Sequence, residues 1–181
     1  MNLQKLFEAQ RVLDEHIMNE HPVQENENRL EKKILALQVE LGECANEWRG
    51  FKFWSNNQKP RTMVLTDNPD KTDKNKPWLI RNLLLEEYVD CLHFILSIGV
   101  QKSWTFDRVP LLNSDEALEI QFNEVFLAIS HFYVDKRLSN YERVLIVFLS
   151  LGQSLDFTWE EIEQAYFDKN QINHQRQEEG Y

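Results

Sequence analysis

Two short carboxylate pairs at helical i, i+3 spacing make the strongest chemical suggestion in this chain. The first lies in ELGECANEW and offers Glu40 and Glu43; the second lies in LLEEYVDCLHF and offers Glu87 and Asp90. Residues three apart share one face of a helix, so each pair aims two oxygen ligands in one direction. Both pairs sit in runs otherwise apolar enough to be core, and two such helices packed together bring four carboxylates to one point. Uncompensated, four buried negative charges cannot coexist, because desolvation and mutual repulsion are both large. A hard divalent cation resolves the conflict: Mg²⁺ takes oxygen ligands in an octahedron and works with phosphates.

Three further groups of residues bear on what such a centre would act upon. Near the C-terminus, Tyr166, Lys169, Asn173 and Arg176 fall at helical intervals, with Gln177 beside Arg176. Arginine presents a planar fork to phosphate and lysine a flexible point charge. In so acidic a chain this stripe would focus a triphosphate on the metal centre. The segment FKFWS places Lys52 between Phe51 and Phe53, followed by Trp54. These aromatics suit either stacking on a base or packing at a helix end. Finally, Gln10 and Asp14 lie four apart, and a Gln amide offers a donor and an acceptor with which to read a pyrimidine edge.

The elements that must position these residues are helices. Leu3, Leu6, Phe7, Val12, Leu13 and Ile17 form one stripe over residues 3–20, ended by His21 and Pro22. A second helix is expected from about Asn28 to Arg49, with Gly50 as terminator, and a third over about 80–101, with Gly99 loosening its last turn. Ser114, Asp115 and Glu116 predict the start of a fourth over about 115–134. A fifth is expected over about 139–153, ended by Gly152, and Thr158 with Glu161 forms a capping box that opens a sixth. Residues 55–79, rich in Asn, Lys, Asp and Pro, read as a polar loop or lid. The expectation is one all-α domain spanning residues 1–181, a bundle of about six helices in which the second and third cross near the centre.

Composition narrows the function classes. Only 5 Gly and 5 Pro in 181 residues oppose a turn-rich β fold. A net charge of −10 opposes general nucleic-acid binding, which relies on neutralising phosphates with Lys and Arg. Cys44 and Cys91 make no zinc pattern and read as small buried hydrophobes. No signal peptide and no run approaching the ~20 apolar residues of a membrane span is visible, so a cytoplasmic protein is expected.

Taken together, the helix-one Gln, ELGECANEWRGFKFW, LLEEYVDCLHFILS and the tail YFDKNQINHQRQEEGY resemble the dimeric, all-α dUTPases of the MazG-like nucleoside triphosphate pyrophosphatase superfamily, in the compact form of Gram-positive bacteria and their phages. The resemblance implies Mg²⁺-dependent hydrolysis of dUTP to dUMP and pyrophosphate by a metal-activated water, keeping uracil out of DNA, in a homodimer. It implies two or three Mg²⁺ ions on Glu40, Glu43, Glu87 and Asp90, with Glu43 or Glu40 orienting or deprotonating the water. Lys169 and Arg176 would grip phosphates, Asn173 would contact nucleotide, Gln10 would read uracil, and Lys52 and Trp54 would line the pocket. His93 and Phe94 follow the second acidic motif, with Phe94 against the deoxyribose, and Asp14 stands where some relatives carry Asn. Two other readings stay open. One is a MazG-like pyrophosphatase acting on another nucleotide such as dCTP. The other is a noncatalytic helical protein that binds a regulatory partner.

Overall fold

The computed structural model describes residues 2–66 and 79–180. Six helices follow in chain order: α1 (Leu3–Glu20), α2 (Arg29–Trp48), α3 (Leu83–Lys102), α4 (Leu118–Val134), α5 (Leu138–Ser154) and α6 (Trp159–Glu178). The expected all-α fold is what the chain adopts, with one small addition. Val64–Thr66 (β1) pairs antiparallel with Leu79–Arg81 (β2), Val64 opposite Arg81. These strands occupy part of the polar loop expected at 55–79; residues 67–78 of that loop lie outside the described residues.

The apolar stripe of each helix decides its place. α3 is buried over most of its circumference, from Leu84 and Tyr88 to Ile98 and Gly99, and it packs against α1, α2, α5 and α6. Tyr88 stacks on Phe148 of α5 with ring centroids 4.4 Å apart, and Trp48 of α2 stacks on Phe122 of α4 at 5.2 Å. Each large apolar side chain so buried contributes about 1.5–3 kcal/mol. The central helix is therefore the rigid base from which the second acidic motif projects.

Several helix ends differ from expectation for identifiable reasons. α2 stops at Trp48 because Arg49, not Gly50, takes the left-handed conformation, at φ 67. Gly50 serves a different need: a Cβ there would lie 2.3 Å from the Trp48 ring, which covers it. Ser114 caps no helix; its hydroxyl accepts from Glu116 N in a local turn, and α4 begins only after Ala117. Gly99 and Gly152 lie inside α3 and α5 and end neither helix. The capping box of α6 forms as expected, with Thr158 and Glu161 exchanging hydrogen bonds.

Candidate active site

α2 and α3 pack side by side, and their acidic faces meet at one end of a cleft of about 1020 Å³ between α1, α2, α3 and α6. Glu40, Glu87 and Asp90 each bring a carboxylate oxygen within 4.8 Å of the others. Three hard oxygen donors converging in a partly buried place fit a divalent cation. Their electrostatics say the same. Burial, then the neighbouring Asp90 and Glu43 charges, pushes Glu40 above the usual carboxylate range. The same causes push Glu87 up to about 7. Asp90 is raised by burial and held back by Lys169, whose Nζ lies 2.5 Å from its Oδ2. Such mutual destabilisation is what a bound cation relieves.

Glu43 is exposed and stands outside the trio, close enough for its charge to raise Glu40 and Glu87. One turn further, Glu47 pairs with Arg61 at 3.0 Å. Lys169, Asn173 and Arg176 of α6 line the cleft together with Glu40, Asp90, His93, Phe94, Gln10 and Asp14. Lys52 and Trp54 are not among the lining residues. Lys52 Nζ is 2.5 Å from Asn46 Oδ1, and Trp54 is 65% exposed, edge-on to Phe51 and Phe53. The tight turn after α2 directs them outward, a geometry their sequence position does not reveal.

A buried polar network lies beneath the cleft floor. Gln10 Nε2 donates to Asp14 Oδ1 at 2.7 Å, while Gln10 Oε1 meets His93 Nδ1 at 2.9 Å and the Tyr166 hydroxyl at 2.8 Å. The His93 and Tyr166 rings stack at 4.1 Å. Burial and the Lys169 charge drive His93 down to about 3, so its imidazole is neutral. Its Nε2 is buried with no partner among the described residues. Ser97 and Lys33 close the network on Asp14, with Lys33 Nζ 3.2 Å from Oδ2. Neither Lys33 nor Ser97 stood out in the sequence, because their partners are 19 and 83 residues distant.

The chain matches the family described as dUTPase over residues 2–69 and 71–181, and it belongs to this all-α, dimeric dUTPase family. Its activity is that of a dUTP diphosphatase, the hydrolysis of dUTP. A comparison with curated proteins found no match. No described helix is long and apolar enough to cross a membrane.

Proposed function

We propose that the chain converts dUTP to dUMP and pyrophosphate with Mg²⁺ held by Glu40, Glu87 and Asp90. The observation that carries this reading is the convergence of those three carboxylates at the end of a cleft large enough for a nucleotide. When bound by these three carboxylates, a divalent cation would offset triphosphate charge and make a water there more acidic.

The chain's own residues do the rest. Glu43, exposed beside the trio, orients the attacking water and takes its proton. Lys169, already tied to Asp90, offsets charge gathering on the leaving pyrophosphate, with Arg176 and Asn173 along the same wall. Gln10 reads the base, Phe94 packs on the deoxyribose, and His93 Nε2, a buried acceptor, takes a sugar hydroxyl. Hydrolysis in heavy-oxygen water tests the reaction: label recovered in dUMP, with Mg²⁺ required and EDTA inhibitory, is the expected result. Unlabelled dUMP, undiminished turnover in EDTA, or equal rates on dCTP would overturn it.

A homodimer is the second part of the proposal. Phe53, Trp54 and Met63 are 85%, 65% and 81% exposed, an apolar surface that a second copy of the chain would cover. Lys52 and Trp54 would then join the nucleotide site from across that contact. Sedimentation equilibrium checks this: Trp54→Glu should give a monomer with raised KM, and a monomeric wild type would end the proposal.

A further inference from the structure

Asp14, Gln10 and His93 form a chain in which every hydrogen-bond direction follows from the first member. Lys33 Nζ and the Ser97 hydroxyl both contact the Asp14 carboxylate, at 3.2 Å and 2.6 Å on Oδ2. An ionised carboxylate only accepts, so Gln10 must turn its NH₂ toward Asp14 Oδ1. Gln10 Oε1 then faces His93 Nδ1 and the Tyr166 hydroxyl, and both must donate to it. His93 is thereby fixed as the Nδ1–H tautomer, with a bare Nε2. Both lone pairs of Gln10 Oε1 are used. Among the described residues Asp14 is the sole acceptor for Nε2, which keeps one hydrogen for a ligand. Gln10 lines the cleft, so the polarity it presents there is that of a donor.

We infer that Asp14 is a positioning residue: by fixing the orientation of the Gln10 amide, it makes the cleft select a pyrimidine with a 4-carbonyl over one with a 4-amino group. Uracil offers an acceptor at that position and cytosine a donor. A donor facing a donor leaves both unpaired in a buried place, which is where a hydrogen-bonding site discriminates most strongly. The inference rests on the nucleotide reading above and adds what sets the choice of base.

Lys33 makes the inference testable. In Asp14→Asn the ammonium claims the new amide's oxygen and turns its NH₂ toward Gln10. Gln10 must then flip, presenting Oε1 to position 14 and Nε2 to His93 and Tyr166. Tyr166 has an alternative acceptor ready in Leu6 O at 3.3 Å. The flipped Gln10 keeps a free lone pair, so the cleft presents an acceptor.

Two measurements decide. Steady-state kinetics compare kcat/KM for dUTP with that for dCTP in the wild type, Asp14→Asn and Asp14→Asn/Lys33→Met. The ratio should fall about tenfold or more in the single variant, whatever happens to the absolute rate. It should recover in the double variant, where no ammonium dictates the amide's orientation. An unchanged ratio in Asp14→Asn would overturn the inference. Nitrogen NMR of the wild-type His93 ring is the second arm and needs neither substrate nor a folded variant. Protonation at Nδ1 is expected; protonation at Nε2 would sink the proposed chain of directions. A wild type equally active on dCTP would refute the dUTP assignment, and the NMR arm would still decide the amide's orientation.

Discussion

Lys169 Nζ donates to Asp90 Oδ2 at 2.5 Å, tying the last helix to the central one at the rim of the carboxylate trio. The pair is mostly buried, with side-chain exposures of 19% and 17%. Lys169 therefore offsets part of the burial penalty on the Asp90 carboxylate while lining the cleft beside it.

Replacing Lys169 by Met removes both services. Asp90, raised by burial and lowered chiefly by Lys169, moves further up. The acid limb of the pH–rate profile should shift to higher pH. Loss of charge stabilisation on the leaving group should lower kcat/KM by roughly 10²–10³. A full pH–rate profile of the variant checks both effects.

Glu87 gives the metal-free protein a pH-dependent stability. Its pKa, about 7, lies above the ordinary 4.5, chiefly through burial and then the Asp90, Glu43 and Glu40 charges. A raised folded-state pKa contributes stability that is fully present below the unfolded value and lost as pH rises through the folded one. In EDTA the melting temperature should therefore fall as pH rises from about 4.5 to about 7 and level off above that. Mg²⁺ should reverse that fall by taking the proton's place. Glu87→Gln should flatten the pH dependence, abolish the response to Mg²⁺ and lose activity. Thermal melts with and without Mg²⁺ provide the comparison.

His16 and His174 couple α1 to α6 through stacked rings at 5.1 Å, with their Nδ1 atoms 2.8 Å apart. One proton serves that contact. Burial and the His16 charge lower His174 below its ordinary value. A depressed folded-state pKa contributes stability above the unfolded value, about 6.5, that is lost as pH falls through the folded one. Protection factors of the α6 amides, corrected for the intrinsic exchange rate at each pH, should fall on acidification through this range, and His174→Gln should remove the dependence.

Gly99 and Gly152 allow helices to approach the central α3 core closely. A Cβ at Gly99 would meet the Tyr141 hydroxyl at 2.2 Å and Trp104 O at 2.7 Å; one at Gly152 would meet the Tyr88 hydroxyl at 2.3 Å. Gly99→Ala and Gly152→Ala should each cost about 1–3 kcal/mol through overpacking. The corresponding drop in Tm is roughly 2–12 °C, read by calorimetry.

Local signals were readable where the physics is local. The Thr158–Glu161 cap and most of the α1 and α2 stripes act within one or two turns and lie where the pattern puts them, but Val12, expected on the buried stripe of α1, is 53% exposed, and the buried face instead takes in Gln10. Ser114 misled because the same hydroxyl can cap a helix or close a turn, and Leu118 joins the core while residues 115–117 stay exposed. Gly152 does not end its helix; its reason is Tyr88 of another helix, which lies over it. Glu43 shares a stripe with Glu40 in sequence, yet only one of them faces α3 closely enough to join Glu87 and Asp90. Lys33 was silent because its meaning depends on Asp14, a residue of a different helix.

Cys44 and Cys91 each follow a site acid by one residue, and both are wholly buried. One step along a helix turns a side chain by about 100°, so these thiols point into the core while Glu43 stays exposed and Asp90 faces the cleft. The carboxylate trio is left with oxygen donors alone. Soft, thiophilic ions such as cadmium find no sulfur there, and helical phase by itself acts as a filter for hard cations.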